Sequence, residues 1–82
     1  MPFVYLLQCS DNSYYCGYTN NLEHRVKAHN SGKASKYTRA RLPVKIVYAE
    51  KLSSLSKALK REYAIKQLSR KEKIGLVKNF KQ

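Results

Sequence analysis

Short apolar runs alternate with polar turn residues along the first half of the chain. Residues 3–8 read FVYLLQ, residues 10–13 are turn formers, and the apolar pattern resumes at YYCGY. β-Branched and aromatic residues fit a pleated sheet, and the Ser, Asp and Asn between them favour a tight turn. The pattern therefore predicts a β-hairpin, and VKIVYAE at residues 44–50 predicts a third strand that joins it.

The hairpin is followed by a segment with the start and stop signals of a helix. Asn20 can accept hydrogen bonds from the first helical turn, with Glu23 three residues later in the register of a capping box. Leu22 and Val26 give this helix an inward side, and the Ser-Gly pair at residues 31–32 ends it.

Two further helices are predicted in the last third of the chain. One begins near Ser53 or Ser54 and runs to about Leu68. Its apolar face consists of Leu55, Ala58, Leu59 and Ile65. A capping box of Ser69 and Glu72 opens the last helix, which continues through Ile74, Val77 and Phe80. The pattern predicts an α+β fold, a small three-stranded antiparallel sheet flanked by helices, in a single domain of residues 1–82.

The net charge identifies the expected partner. The chain carries 17 Lys and Arg against 5 Asp and Glu, a formal net charge of +12 over 82 residues. Such a surface suits a partner with many phosphates, because each neutralised phosphate releases condensed counterions. Nucleic acid is the leading predicted partner. The alternatives are a merely solvated cationic surface and an anionic membrane surface, but no stretch joins a basic face to a strongly apolar one.

Two features bear on the compartment. The start, MPFVYLL, has no basic segment before its apolar run and no small-residue cleavage site, so we expect a cytoplasmic protein. Cys9 and Cys16 lack the spacing of a metal site, so we expect small buried strand residues rather than a disulfide or zinc ligands.

A basic segment, GKASKYTRARLP at residues 32–43, separates the first helix from the third strand. Its cations surround one aromatic ring that could stack on an unpaired base, so the segment is a candidate nucleic-acid contact. A mobile solvated loop is the alternative. Together with one lysine of the third strand, the candidate contacts are Lys33, Lys36, Tyr37, Arg39, Arg41 and Lys45.

Glu62 lies among apolar neighbours on the second predicted helix. It follows Ala58 by four positions and Leu59 by three, which places it near the middle of the apolar face. A carboxylate facing a core or cleft needs a partner, because an unpaired buried charge is costly. The partner is either an Arg or Lys side chain or a metal ion; a third alternative is a carboxylate that reaches solvent at the edge of the face.

Arg25 and His29 are stacked four residues apart on the first helix and border its inward face, toward the sheet that carries Tyr5 and Tyr15. Each has a plain structural explanation alone: a surface arginine, a histidine that complements the helix dipole, and amphipathic core tyrosines. With Glu62 they form a set suited to phosphodiester hydrolysis, because the set offers an oxygen ligand for Mg²⁺, a guanidinium for phosphate and groups that activate water.

The order of these residues resembles the GIY-YIG nucleases over nearly the whole chain. FVY at residues 3–5 stands where the family's first motif has Gly-Ile-Tyr, and YCG at residues 15–17 where the second has Tyr-Ile-Gly. Arg25 resembles the family's arginine, and His29 falls where members carry His or Tyr. Glu62, in ALKREYAIK, resembles the metal-ligating glutamate. The likeness is greatest to short single-domain bacterial members and to the nuclease domain of excision-repair-type enzymes.

The resemblance implies a three-stranded antiparallel sheet flanked by helices and a single-metal cut of DNA, with Mg²⁺ or Mn²⁺ as cofactor. It implies that Tyr5 and Tyr15 orient or deprotonate the attacking water, that Arg25 steadies the phosphate and that Glu62 holds the metal. His29 is a rival for the role of general base, because its ordinary pKa lies near neutrality.

Gly17 in the second motif would allow close packing or approach of substrate, and a bulge is the alternative. Three positions depart from the family's pattern. Phe3 replaces the first glycine, Tyr18 stands where excision-repair members tend to have lysine, and Asn79 is only a weak counterpart of the polar residue that follows the glutamate helix.

Two functions are carried forward from the sequence. The first is a metal-dependent endonuclease that hydrolyses DNA with structural selectivity, as in repair or recombination. The alternative is a non-catalytic basic nucleic-acid-binding module on the same fold, in which Arg25 and Glu62 pair with each other. DNA, branched or single-stranded, is the expected partner, and a protein partner could supply specificity.

Overall fold

The computed structural model describes residues 1–80 and contains three strands and four helices in that range. The strands are β1 (Phe3–Gln8), β2 (Tyr14–Thr19) and β3 (Lys45–Lys51). The helices are α1 (Leu22–Asn30), α2 (Lys36–Arg39), α3 (Leu55–Lys66) and α4 (Arg70–Asn79). The predicted α+β fold with a three-stranded antiparallel sheet is confirmed. The last two residues of the predicted domain, 81 and 82, lie outside the described range.

β1 is the central strand of the sheet, which has the order β2-β1-β3. Both pairings are antiparallel, and Tyr5 lies opposite Gly17 on one side and Ala49 on the other. The hairpin turn depends on Asp11, whose carboxylate accepts hydrogen bonds from the backbone and hydroxyl of Ser13. Because β2 pairs only with β1, it is an edge strand. Side chains from both faces of the sheet can meet along such an edge.

The alternation along β1 divides the core between the two faces of the sheet. Val4 and Leu6 are buried on one face together with α3 and α4 residues: Ala58, Ile65, Leu76 and Val77. Tyr5 and Leu7 are buried on the other face with α1 and the end of the basic segment: Leu22, Val26, Leu42 and Val44. Each helix pair thus covers one face, because strand side chains point alternately to opposite sides.

A β-bulge interrupts the pairing of β1 with β3. Leu6 lies opposite Tyr48 and Leu7 opposite Ile46, so Val47 is an extra residue on β3. Val47 and Tyr48 consequently both pack against the cluster of α3 and α4. The bulge lets two neighbouring apolar residues serve the same face.

α1 begins one residue later than the sequence predicts. Its N-cap is Asn21, not Asn20, and the Asn21 side chain accepts from the backbone N–H of His24 rather than pairing with Glu23. The shift arises because the Thr19 hydroxyl accepts from the backbone N–H of Asn21, at 3.2 Å, and this adds one residue to the turn. The predicted end is confirmed: Ser31 is the C-cap and the next residue, a glycine, has a φ of +79°.

The basic segment contains α2, a single helical turn that periodicity did not indicate. The Ser35 hydroxyl caps it by accepting from the backbone N–H of Tyr37 at 3.1 Å. Thr38 is fully buried beneath this turn, whereas Lys36 and Arg39 on either side of it are exposed. Thr38 is thus a polar anchor of the segment within the core.

The apolar face of α3 is only half covered by the core. Ala58 and Ile65 are fully buried, but Leu55 and Leu59 are 54% and 43% exposed, so only part of the predicted apolar face packs on the sheet. The helix is rotated so that Glu62 lies at the boundary between the buried and exposed halves. α3 ends at Lys66, two residues before the predicted position.

Two smaller predictions agree with the structure. The capping box of Ser69 and Glu72 opens α4, and both of its hydrogen bonds are present. Cys9 and Cys16 are buried free thiols, although Cys9 lies just beyond β1. Among residues 1–80, no helix combines the length and apolar character that crossing a bilayer requires.

Candidate active site

A cleft of about 400 Å³ opens beside the edge strand β2. Tyr5, Tyr15, Gly17 and Arg25 reach it from the sheet face that α1 covers, and Glu62 reaches it from α3 on the opposite face. The cleft thus brings together five of the residues predicted from the sequence. Asn79 lies at the end of α4 and does not line it.

Gly17 makes room for the ring of Tyr5. A Cβ atom at Gly17 would lie 2.6 Å from the Tyr5 Oη and 2.8 Å from its Cζ, closer than real contacts allow. The two residues are paired across β1 and β2, so the Tyr5 ring lies over the glycine backbone and is 1% exposed. Close packing, one of the predicted alternatives for Gly17, explains this glycine, and no bulge interrupts the pairing of β1 with β2.

A chain of hydrogen bonds leads from the cleft into the core. The Tyr5 Oη lies 3.0 Å from His29 Nε2, and His29 Nδ1 lies 2.8 Å from the Thr38 hydroxyl. His29 and Thr38 are fully buried. His29 does not line the cleft itself: its hydrogen bond to Tyr5 joins it to the cleft, and its ring meets that of Tyr15 edge-on with 5.2 Å between centroids.

Burial sets the protonation states of this chain. Burial raises the pKa of the Tyr5 phenol, and the neighbouring Arg25 guanidinium opposes that shift without cancelling it. Burial, followed by the charge of Arg25, lowers the pKa of His29. At neutral pH the pair is therefore a neutral phenol next to a neutral imidazole, and the imidazole is able to accept a proton.

Arg25 has an unsatisfied hydrogen-bond donor. Its Nε is buried and finds no hydrogen-bond partner among residues 1–80, although the side chain lines the cleft. A buried donor without an acceptor costs roughly 1–3 kcal/mol, and more when it is charged. An anionic ligand in the cleft would supply the missing acceptor.

Glu62 is the acidic residue of the cleft. Its side chain is 16% exposed, and one carboxylate oxygen lies 3.3 Å from the ammonium of Lys66 on the next turn of α3. It does not pair with Arg25. Cys16 lies behind it, and burial together with the Glu62 charge raises the pKa of that thiol to about 11.

The donor set at Glu62 suits one kind of metal ion. No group of three His, Cys, Asp or Glu side chains gathers within residues 1–80, so a site built wholly from protein ligands is not present there. Mg²⁺ keeps several water ligands and often takes one carboxylate together with substrate phosphate. A single partly exposed carboxylate at the wall of a cleft fits that coordination.

Some side chains of the basic segment are exposed to solvent, and others contact the rest of the fold. Lys33, Lys36 and Arg39 are exposed, as is Lys45 on β3. The ring of Tyr37 stacks against Tyr15 with 6.0 Å between centroids, and the Arg41 guanidinium covers Tyr37 at 3.9 Å.

Arg41 has further partners within the fold: its Nε lies 3.0 Å from the Asp11 carboxylate, and its Nη1 donates to the Tyr37 carbonyl at 2.9 Å. Tyr37 and Arg41 thus join the basic segment to the hairpin, and this arrangement does not favour the predicted stacking of Tyr37 on a base.

Sequence reasoning did not assign a role in the site to three residues that line the cleft: Tyr18, Thr19 and Asn20. Tyr18 is 41% exposed and offers an aromatic ring at the cleft. Its place directly after the second motif was the available signal. Thr38 was also missed, and no pattern in the sequence distinguishes it from the other polar residues of the basic segment.

Residues 1–75 match the family model described as the GIY-YIG catalytic domain. The chain belongs to the GIY-YIG family. The GIY-YIG domain is a nuclease fold, so the family supports nuclease activity and DNA as the substrate class.

Several bacterial relatives align over most of the chain. The UPF0213 protein SH2523 of Staphylococcus haemolyticus is 51% identical over 75 residues, 92% of this chain and of the relative. A UPF0213 protein of Bacillus licheniformis is 58% identical over 71 residues, which cover 87% of this chain and 73% of the relative.

Solved structures of GIY-YIG relatives share the fold. The solution NMR structure of the UPF0213 protein BH0048 from Bacillus halodurans is similar at a TM-score of 0.61 and 44% identity, over 95% of this chain and 84% of the other. The structure of EF2693 from E. faecalis gives a TM-score of 0.63 at 44% identity, over 95% and 83% of the two chains.

Proposed function

We propose that this GIY-YIG protein is a metal-dependent endonuclease that hydrolyses DNA phosphodiester bonds and prefers branched or locally unpaired DNA, as repair and recombination require. The observation that carries the proposal is the buried Arg25 Nε, which has no hydrogen-bond partner among residues 1–80 and belongs to a side chain that lines the cleft. A phosphate oxygen is the acceptor that this donor requires, because guanidinium and phosphate match in charge and geometry.

Tyr5 and His29 provide a path for the proton of the attacking water. As the water oxygen bonds to phosphorus, a water proton passes to the Tyr5 Oη while the phenol proton passes to His29 Nε2 at 3.0 Å. The phosphorus–oxygen bond to the leaving strand breaks, that oxygen takes a proton from solvent, and His29 then returns its extra proton to solvent through Tyr5. The relay avoids a free phenolate, whose formation the raised pKa of Tyr5 opposes.

Glu62 would hold the metal ion, Mg²⁺ or Mn²⁺, with water and substrate phosphate completing the coordination. When bound, the ion polarises the phosphate and stabilises charge on the departing oxygen. Binding would require Glu62 to leave its contact with Lys66, whose ammonium approaches from the solvent side. Arg25 and Glu62 approach the cleft from opposite faces of the sheet, so a phosphate between them would contact both.

Two surfaces support a preference for distorted DNA. The exposed cations Lys33, Lys36 and Arg39 can hold phosphates of the backbone without reading sequence. The ring of Tyr18, 41% exposed at the cleft, can stack on a base that has left its pair. Paired DNA would have to open to make that contact, which favours substrates with unpaired bases.

The test is cleavage of supercoiled and branched DNA with Mg²⁺ or Mn²⁺, comparing the wild-type protein with Glu62→Gln and Arg25→Ala. We expect metal-dependent nicking by wild type, loss of nicking in Glu62→Gln with DNA affinity retained, and a loss of at least ten- to a hundredfold in Arg25→Ala. Lys27→Ala is the matched control for Arg25, because Lys27 is an exposed cation of α1 paired with Glu23.

The alternative is a binding module without catalysis, and the ion pair of Glu62 with Lys66 favours it, because that pair gives the carboxylate a purely structural role. In that case neither wild type nor Glu62→Gln nicks DNA, while both bind it with the same dependence on salt. A protein partner that supplies specificity belongs to the same proposal: nicking that appears only when a second protein is added would identify one.

A further inference from the structure

Thr38 is a buried polar residue in an otherwise exposed basic turn. Its side chain is fully buried, whereas Lys36 and Arg39 in the same turn are exposed. The hydroxyl contacts two groups: it lies 2.8 Å from His29 Nδ1 and 3.3 Å from the carbonyl oxygen of Ser35. The first contact joins Thr38 to α1 through the imidazole behind Tyr5, and the second lies within its own helical turn.

The number of available protons determines the direction of each hydrogen bond in this chain. A threonine hydroxyl has one proton, and the Ser35 carbonyl can only accept, so the Thr38 proton points to Ser35. The Thr38 oxygen must then accept from His29, which requires a proton on Nδ1. A neutral imidazole carries one N–H, so Nε2 is bare and accepts the phenol proton of Tyr5 at 3.0 Å.

The opposite tautomer makes fewer hydrogen bonds in this buried chain. Tyr5, His29 and Thr38 are each at most 1% exposed, so bulk water cannot replace a lost partner. In the opposite tautomer the proton is on Nε2, which would donate to the Tyr5 oxygen. Nδ1 and the Thr38 oxygen would then face each other as two acceptors. They could form a hydrogen bond only if the Thr38 hydroxyl donated to Nδ1 and lost its hydrogen bond to the Ser35 carbonyl. The lowered pKa of His29 disfavours the doubly protonated ring.

We propose that Thr38 is a positioning residue that holds His29 in the Nδ1–H tautomer and so keeps Nε2 free to accept the proton of Tyr5. The tautomer itself follows from the hydrogen bonds; its role in cleavage rests on the proposed nuclease function. Without Thr38, the imidazole takes its proton on Nε2, and the Tyr5–His29 bond then runs in the reverse direction.

The tautomer is measured by NMR of the protein labelled with ¹⁵N in its two histidine side chains, with His24→Gln to assign the signals. Nδ1 of His29 should show the shift of a protonated nitrogen and Nε2 that of a bare one between pH 7 and 8. Thr38→Val, which keeps the shape but removes the hydroxyl, should move the proton to Nε2, and Thr38→Ser should keep it on Nδ1. A wild-type spectrum with the proton on Nε2 overturns the proposal even if Thr38→Val does not fold.

Cleavage adds a second readout on the same variants. If the wild-type protein nicks DNA, Thr38→Val should lower kcat by roughly a hundredfold, in the range that general-base catalysis supplies, with DNA affinity unchanged. Thr38→Ser should recover most of the rate. Equal cleavage rates for Thr38→Val and wild type would overturn the catalytic role of Thr38. If the protein never nicks DNA but shows the expected tautomers, only the proposed nuclease function is overturned.

Discussion

At the scale of single residues, the cleft depends on one position where no side chain fits. Gly17 lies beneath the ring of Tyr5, and the tyrosine hydroxyl would be 2.6 Å from any added Cβ. Tyr5 is also the group that connects the cleft to His29. A change at Gly17 therefore alters the site through a residue that it does not replace.

We predict that Gly17→Ala lowers the free energy of unfolding by roughly 1–3 kcal/mol, the usual cost of overpacking, and abolishes nicking by displacing Tyr5. Denaturant unfolding and plasmid nicking check both parts. Gly75→Ala is the matched control: nothing lies within 4 Å of its added Cβ on α4, and it should stabilise the protein by about 0.5–1 kcal/mol. Equal stability for Gly17→Ala and wild type would contradict the packing seen here.

His29 predicts how stability depends on pH. Its pKa is lowered in the folded protein, so the unfolded chain binds more protons once the pH falls below the ordinary value of about 6.5. Stability should be full above that pH and decline as the pH falls toward the folded pKa. Unfolding curves from pH 7.5 to 5 measure this slope.

The slope should flatten in His29→Gln, which lacks the titrating group, and persist in His24→Gln, where an exposed histidine is replaced. A steeper decline in wild type than in His29→Gln is the result we expect. Identical slopes for wild type and His29→Gln would show that acidification acts through other groups.

At the scale of elements, α3 positions Glu62 because part of its apolar face is buried against the sheet and part is exposed to solvent. Ala58 and Ile65 fix the helix on the sheet, while Leu55 and Leu59 remain 54% and 43% exposed. Glu62 lies between these halves, near enough to the core to be 16% exposed and near enough to solvent to exchange partners. One helix can thus provide both a rigid support and an accessible carboxylate.

The contact between Glu62 and Lys66 predicts an effect on metal binding. Lys66→Met removes an ammonium that competes with the cation, so Mn²⁺ should bind up to about fivefold more tightly, in line with the roughly 0.2–1 kcal/mol of an exposed pair. Electron paramagnetic resonance of free Mn²⁺ measures the affinity. Lys60→Met is the control, since it removes an exposed charge of the same helix from a position that does not face Glu62. Weaker binding in Lys66→Met than in Lys60→Met would exclude competition at Glu62.

At the scale of the whole molecule, the charge of +12 is divided between cations with partners and cations without them. Arg41 is bound to Asp11 and to Tyr37, and Lys27 to Glu23, whereas Lys36 and Arg39 are exposed on α2. Only the second group is ready to replace counterions on DNA.

We predict that the double variant Lys36→Gln and Arg39→Gln reduces the slope of log K against log salt concentration by about 2, close to one unit for each lost phosphate contact. Lys27→Gln should change the slope by much less, because its charge is already paired with Glu23. Fluorescence anisotropy with a labelled branched DNA between 50 and 200 mM salt is the measurement. A slope unchanged by the double variant would remove α2 from the binding surface.

Local patterns predicted the three strands, the helices α1, α3 and α4, and most of the cleft, because hairpin residues, caps and helical spacing act over a few positions. Arg25 and Glu62 were placed by periodicity, and both line the cleft. The bulge at Val47, the rotation of α3 and the engagement of Tyr37 by Arg41 were not predicted. Each depends on contacts between residues distant in sequence, which the local pattern does not specify.

The position of Thr38 within the basic turn has a thermodynamic consequence. Lys36, Thr38 and Arg39 share the four residues of α2, so seating the turn on the protein and aligning its threonine are a single conformational event. Local unfolding of this turn would therefore release the imidazole at the same time, because the Thr38 hydroxyl lies 2.8 Å from His29 Nδ1. The proton acceptor keeps its orientation only while the basic turn is closed.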